Sequence, residues 1–317
     1  MARIPAPVAS VRAAVCRALP GDGLVLVACS GGADSLALAA AARFAGRAVG
    51  LVTVDHGLQA GSDRRAEDVA AWARSAGFDP VEVATVDVAG LRGGPEAAAR
   101  SARYAALTAA AARAGAVAVL LGHTRDDQAE TVLLALARGA GPRGLAGMPY
   151  RKGLFVRPLL DVPRSDTRKA CAALGLAPWD DPHNVDPAYA RSRVRGTALP
   201  ALIAALGPGV VGNLARSASL IAADNNALDE SAASALASAR TPEGLSVAGV
   251  AGLSPAVRTR VLHAWARELG ASGGALSHRH VAALDALITD WHGQGPAHLP
   301  GAIVVARERG ALVRVPE

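Results

Sequence analysis

At 317 residues the chain is longer than one ordinary domain and comfortable for two, and 51% hydrophobic but only 3% aromatic content means its cores are built from Ala, Val and Leu. A net charge of +6, almost wholly arginine because Lys152 and Lys169 are the only lysines, favours a polyanionic partner. Three cysteines with no CxxC pair argue against a disulfide framework or thiolate metal site, and no apolar run approaches the roughly 20 residues of a membrane span, so a reducing cytoplasmic setting with no membrane partner is expected.

Residues 7–19 read as a helix, broken by Pro20-Gly21-Asp22-Gly23 before the apolar run Leu24 to Cys29, a buried strand. After Ser30-Gly31-Gly32 the pattern becomes helical through Arg43, and Ala48 to Val54 forms a second strand. Residues 62–77 are helical, Val81 to Val86 a third strand, Pro95 to Ala114 a long helix and Val117 to Leu121 a fourth strand. This alternation predicts an α/β fold, a doubly wound parallel sheet with helices on both faces. Beyond it come a Gly- and Pro-rich mobile loop from Arg138 to Gly153, a short strand at Arg157 to Leu160, a helix over 164–174 and an irregular acidic loop from Pro178 to Asp186. A smaller, mainly helical second domain is expected, giving domains 1–205 and 206–317, with Val210 to Ala239 helical and a hairpin over Ala302 to Val315 turning at Arg309-Gly310.

The first strand runs directly into Ser30-Gly31-Gly32-Ala33-Asp34-Ser35. Adjacent glycines let the backbone approach a ligand and adopt dihedrals closed to other residues. Their amides, with the following helix start, form an anion site to which Ser30 and Ser35 add hydroxyls. No lysine follows the last glycine, so this is not a Walker A loop. A carboxylate inside an anion nest is repelled by the ligand unless a cation intervenes, which makes Asp34 a candidate Mg²⁺ contact; capping of the first helical turn is the alternative. Val54-Asp55-His56-Gly57-Leu58 follows the second strand, and open parallel sheets bind ligands at the carboxyl ends of their strands. The strand-SGGxDS-helix arrangement resembles the pyrophosphate-loop ATPases, and Val54 to Leu58 resembles their VDHGLR segment. The resemblance implies ATP held by Ser30 to Ser35, adenine read by backbone around Val54 and His56, and cleavage between the α and β phosphates.

The fourth strand ends in Leu121-Gly122-His123-Thr124-Arg125-Asp126-Asp127-Gln128-Ala129-Glu130-Thr131. On a helix starting near Thr124, His123, Asp127 and Glu130 share one face. Thr124 and Asp127 also satisfy a capping box, and one His with two acids makes a poor zinc site. The run resembles the LGHxxDDxxET segment shared by lysidine synthetases and related tRNA-modifying enzymes, which implies that His123, Asp127 and Glu130 line a pocket for a cytidine and an incoming amine. Glu96 to Tyr104 resembles an EAxARxxRY helix whose arginines, here Arg100 and Arg103, would face the triphosphate or a tRNA phosphate.

Arg138 to Met148 resembles an RGxGxxGLxGM loop, and Arg157 to Leu160, Asp181 to Asp186 and Tyr189 to Arg195 follow in the order found in the tRNA(Ile)-lysidine synthetase family, which the chain resembles over roughly residues 20 to 200. That resemblance implies ATP and Mg²⁺ as cofactors, and joining of free L-lysine to C2 of the wobble cytidine of a CAU-anticodon tRNA(Ile) through an adenylated intermediate. Two departures stand out: position 183 is His where the family has Ser, and Arg191-Ser192-Arg193-Val194-Arg195 replaces RNxxR. In an extended stretch, Arg191, Arg193 and Arg195 would point together at a phosphate backbone. The rival reading is a pyrophosphate-loop tRNA 2-thiolation enzyme, which calls for a cysteine pair or an iron-sulfur cluster, whereas no cysteine stands beside the acceptor motif. A nucleotide sensor without catalysis would show damage at Asp34 or at positions 123 to 130, and none is visible.

Overall fold

The computed structural model describes residues 4–55, 57, 61–86, 95–181 and 186–315, with the backbone alone at 95–97. It divides into two compact units, Met1–Ile221 and Ala222–Glu317. In the first, α1 (Ala6–Ala18) leads to β1 (Val25–Ala28), α2 (Ala33–Phe44), β2 (Val49–Asp55), α3 (Ser62–Ser75), β3 (Val81–Thr85), α4 (Pro95–Ala114) and β4 (Ala118–Leu121). Then come α5 (Arg125–Ala137), α6 (Pro142–Leu145), β5 (Arg151–Lys152), β6 (Phe155–Val156), α7 (Arg164–Ala173) and α8 (Ala190–Arg193). The last continues through a π-helical turn at Val194–Ala198 into α9 (Leu199–Leu206), and α10 (Val210–Ala239) follows, its residues from Ala222 onward belonging to the second unit.

The sheet order is β3-β2-β1-β4-β6-β5, parallel except for the β5/β6 pair. Strands β1 to β3 step outward in one direction and β4 starts the other half, so the order reverses between β1 and β4. Such a reversal leaves a crevice beyond the strands' carboxyl ends, where open α/β sheets place their ligands. Ala28 and Leu121, the last residues of β1 and β4, are in register there.

Alternation along the strands makes the two faces. Val25 and Val27 of β1 and Ala118 and Leu120 of β4 pack with α1, α2 and α7, while Leu26, Val119 and Leu121 pack against Leu107, Ala110 and Ala111 of α4. Alanine on the helices is what lets them lie close to the sheet without large aromatic side chains. The expected strand at Arg157 to Leu160 is displaced: the strand is Phe155–Val156, and Leu159 and Leu160 are buried in a turn. A short apolar run does not by itself distinguish a strand from a buried turn.

The second unit holds β7 (Leu245–Ser246), α11 (Val247–Ala251), α12 (Pro255–Glu268), α13 (His278–Thr289), β8 (Ala297–Leu299), β9 (Ile303–Glu308) and β10 (Ala311–Arg314). Its antiparallel sheet has the order β7-β10-β9-β8, and the expected hairpin is β9-β10, turning through Arg309 and Gly310 at positive φ. Strands β7 and β8 are too short to show a period and went unread in the sequence. Leu245, Leu262, Leu284, Leu287 and Leu312 centre its core. Beside it the buried Arg258 is held by Asp285 at 2.6 Å. No single described helix is long and apolar enough to cross a membrane.

Candidate active site

The loop after β1 closes on Ser35. Its Oγ accepts from the Ser30 amide at 3.2 Å, lies 3.4 Å from Ser30 Oγ and donates to the Gly32 carbonyl at 2.9 Å, so one hydroxyl fixes both ends of the turn. Gly31 has φ +81°, and a Cβ there would lie 2.9 Å from Val69 Cγ2. Gly32, at φ −74° and ψ 160°, sits in extended backbone open to any residue, so only Gly31 of the pair is demanded by conformation. The Gly31 carbonyl accepts from the Trp179 amide at 3.0 Å, and the Arg65 guanidinium stacks 4.3 Å from the Trp179 ring. Ala33 opens α2, and its carbonyl accepts from Cys171 Sγ at 3.2 Å. Val54 sits near the end of β2 in register with Ala84, while His56, like positions 182–185, lies outside the described residues.

Gly122 brings the acceptor segment against this loop: a Cβ on it would lie 3.1 Å from the Ser35 amide nitrogen. Two residues on, Thr124 caps α5. The Thr124 amide and hydroxyl both donate to Asp127 Oδ2 at 2.8 Å, so the capping box is real and uses one carboxylate oxygen. The other, Oδ1, faces Arg164 Nη2 at 2.8 Å and Arg195 Nη2 at 3.2 Å. Glu130, with 0% exposure, is more completely engaged. Its Oε1 accepts from Arg164 at 3.0 Å and Arg195 at 2.8 Å, and its Oε2 from Arg191 at 3.0 Å and Arg195 at 3.1 Å. Arg164 also reaches the loop, its Nε 3.7 Å from Asp34 Oδ2, and the Thr167 hydroxyl donates to Asp34 Oδ1. Three carboxylates and three guanidiniums from distant parts of the chain therefore form one cluster.

Its electrostatics follow. Burial pushes the Asp34 carboxyl up to about 6 against the Thr167 hydrogen bond, with the Asp127 charge adding to the rise. Burial would also raise Asp127, yet Arg164, the Thr124 amide and Arg191 outweigh it and hold that carboxyl below its ordinary value. For Arg164 burial is likewise outweighed, by Asp127, Glu130 and Asp34, and the guanidinium is held more firmly protonated. His123 goes the other way: burial lowers its imidazole to about 3 although Asp127 favours the charged form, so it is neutral at pH 7. Its Nδ1 is buried and, among the described residues, has no hydrogen-bond partner. On α4, burial lowers the Arg103 guanidinium, while Arg100, Arg157 and Arg103 overcome the effect of burial on the Tyr104 phenol and hold it below its usual value. Arg157 Nη2 donates to that phenol at 3.1 Å.

The structure thus joins Asp34, Asp127 and Glu130 in one cluster, and the charges of Asp127 and Arg103 act on the buried His123. Arg100 lies near the outer end of this region, 3.4 Å from the Tyr104 hydroxyl. The extended reading of 191–195 is corrected: α8 and the π-helical turn make the segment helical, so Arg191 and Arg195, four apart, share the face turned to Glu130. Arg193 turns away and donates to the Pro187 and Ala188 carbonyls. Sequence reasoning missed Arg164 altogether. One signal was present: a cation in the first turn of a helix is disfavoured by the helix dipole, so an arginine directly after Pro163 has another task. It also missed Gln128, whose buried side-chain amide brackets the Met148 backbone at 2.8 and 3.1 Å and ties down the end of the loop expected to be mobile.

A strand-order reversal whose first strand runs into a glycine turn without lysine belongs to the pyrophosphate-loop class. In agreement, residues 10–202 match the PP-loop domain and residues 245–313 match the TilS substrate binding domain. The first unit is an ATP-using domain of that class. Over 99% of its length the chain is 66% identical to the tRNA(Ile)-lysidine synthase of Salinispora arenicola, covering 98% of that protein. It is 56% identical to that of Thermobifida fusca, with 98% of each chain covered, and 58% identical to that of Streptomyces coelicolor over 93% of this chain and 86% of the relative. The chain belongs to the tRNA(Ile)-lysidine synthase family. Among solved structures, the U34-tRNA thiolase NcsA from Methanococcus maripaludis superposes with a TM-score of 0.55 at 18% identity, covering 68% of this chain and 80% of that one, a likeness of fold.

Proposed function

We infer that the protein joins the ε-amine of free lysine to C2 of the wobble cytidine in a CAU-anticodon isoleucine tRNA, consuming ATP. In the first step the cytidine C2 oxygen attacks the α-phosphorus and pyrophosphate leaves. In the second the amine attacks C2, a proton is released, and the C2 oxygen departs with AMP. The observation that carries this reading is Arg164, which contacts Asp34 of the phosphate loop and Asp127 and Glu130 of the acceptor helix at once, so nucleotide and acceptor share one enclosure.

The amides after Ser30 and the Ser30 hydroxyl hold the phosphates, while the Ser35 hydroxyl, committed to the Gly32 carbonyl, and the Ser30 amide, committed to Ser35 Oγ, keep the turn in shape. Asp34 suits a Mg²⁺ ion: burial and the neighbouring Asp127 charge push its carboxyl up to about 6, and a cation beside it would favour the ionised form. A Mg²⁺ ion held by Asp34 would supply positive charge to offset that of the nucleotide phosphates. Asp127 and Glu130 have their oxygens taken by donors. Their part is to hold Arg164, Arg191 and Arg195 in place beside developing phosphate charge. His123, held neutral by burial, would bring an uncharged imidazole to the cytidine side of the site.

Sulfur transfer fits poorly. Burial raises the thiols of Cys29 and Cys171, the latter to about 11, which suppresses the thiolate such chemistry needs, and Cys16 lies on α1. The deciding assay incubates the protein with ATP, radiolabelled lysine and a CAU-anticodon isoleucine tRNA transcript. Label should enter the tRNA with equimolar AMP; unlabelled tRNA would remove the assignment.

A further inference from the structure

A cavity of about 250 Å³ lies along α5 beyond the ion cluster. Thr131, Leu134, Ala135 and Arg138 line it from the stripe that begins at Asp127, at helical spacings of three and four. Met148, fixed by Gln128, walls one side, and Arg100 and Arg191 complete the cationic lining. Arg191 is neutralised by Glu130. Among the described residues, Arg100 and Arg138 have no carboxylate partner, and Arg100 instead rests on Tyr104, 5.0 Å from its ring centre.

The chemistry of this lining selects its occupant. Among the described residues no acid lines the cavity, so the two ammonium groups of a diamino acid find no counter-charge there. Its volume is below the roughly 300 to 1,000 Å³ of ordinary small-molecule sites, too small for a whole nucleoside triphosphate. A slot of mixed polar and apolar lining, flanked by two guanidiniums with no carboxylate partner among the described residues, matches one flat base with a phosphodiester attached.

We propose that this cavity receives a nucleobase adjoining the modified cytidine in the RNA chain, with its backbone phosphate on Arg100 and Arg138. The proposal rests on the RNA substrate inferred above. It assigns the site a second task, fixing the register of the anticodon loop while the cytidine is turned out to react.

The test measures binding of a fluorescent CAU anticodon stem-loop by the full-length protein across a salt series, with ATP affinity measured separately by calorimetry. Arg138 is exposed, so Arg138→Ala should fold. It should weaken stem-loop binding about fivefold to tenfold, reduce the slope of log K against log salt by about one, and leave ATP affinity unchanged. Ala135→Leu, which fills the slot, should weaken binding of the intact stem-loop but not of one made abasic at the nucleotide that occupies the slot; both neighbours of the wobble position are tried. Unchanged RNA binding by Arg138→Ala, equal losses for intact and both abasic RNAs with Ala135→Leu, or a loss of ATP affinity would each overturn the proposal. Failure of the wild-type protein to bind any stem-loop would instead overturn the RNA reading on which it rests.

Discussion

Arg195 grips Glu130 with two hydrogen bonds, Nε to Oε1 at 2.8 Å and Nη2 to Oε2 at 3.1 Å, across 65 residues of sequence. The pair fastens the helical segment after Tyr189 to the acceptor helix, and a wholly buried carboxylate is tolerated only because Arg164 and Arg191 complete its coordination.

Removing that charge should therefore be costly. Glu130→Gln leaves three guanidiniums facing one another with only Asp127 and Asp34 to balance them, and the expected loss is about 3 to 5 kcal/mol in urea unfolding. Adding Arg195→Ala should cost less than the sum of the two single changes, because the second removes a charge the first left unpaired. Strict additivity would show that the cluster does not act as a unit.

Asp34→Asn keeps the size and hydrogen-bonding capacity of the side chain and deletes its charge. Thermal unfolding should be no lower than wild type, since a buried carboxylate is replaced by a neutral group. AMP formation should fall to background; turnover near wild type would remove the Mg²⁺ role.

His123 sets a pH dependence. Folded, its imidazole takes a proton only near pH 3, whereas unfolded it does so near 6.5. Between those values the unfolded chain binds more protons, so this residue makes stability rise with pH, and its contribution is lost as pH falls. Asp34, raised to about 6, acts oppositely over part of that range. The comparison is therefore of wild type with His123→Gln: the stability difference between them should change steadily from about pH 7.5 to 4.5, the wild type losing ground on acidification. A constant difference would mean the imidazole is not held neutral.

The two loop glycines should separate. Gly31→Ala forces φ +81° on a side chain that also meets Val69, for a cost of about 1 to 3 kcal/mol. Gly32→Ala meets nothing closer than Ser30 Oγ at 3.7 Å and should leave the melting temperature nearly unchanged. Equal destabilisation by both would contradict the conformational distinction.

Much of the first unit could be read along the chain, because strand and helix periods and turn residues are local properties. Pro95 opens α4, Thr124 caps α5 and Ser30 to Ser35 join β1 to α2 as the sequence led us to expect. The 191–195 segment shows the limit. Alternating arginines describe a strand as well as a broken helix, and the choice was made by Glu130, a buried charge that needs Arg191 and Arg195 on one face.

What sequence by itself determined was therefore the list of elements, the phosphate loop and the acid-bearing helix, since each is encoded by neighbouring residues. Only tertiary structure decided that β4 lies beside β1, that Arg164 bridges Asp34 and Asp127, and that Asp127 and Glu130 spend their oxygens on arginines. Ion pairing in a desolvated interior depends on distance in space, and the partners of Arg164, more than 30 positions away, cannot be read from its neighbours along the chain.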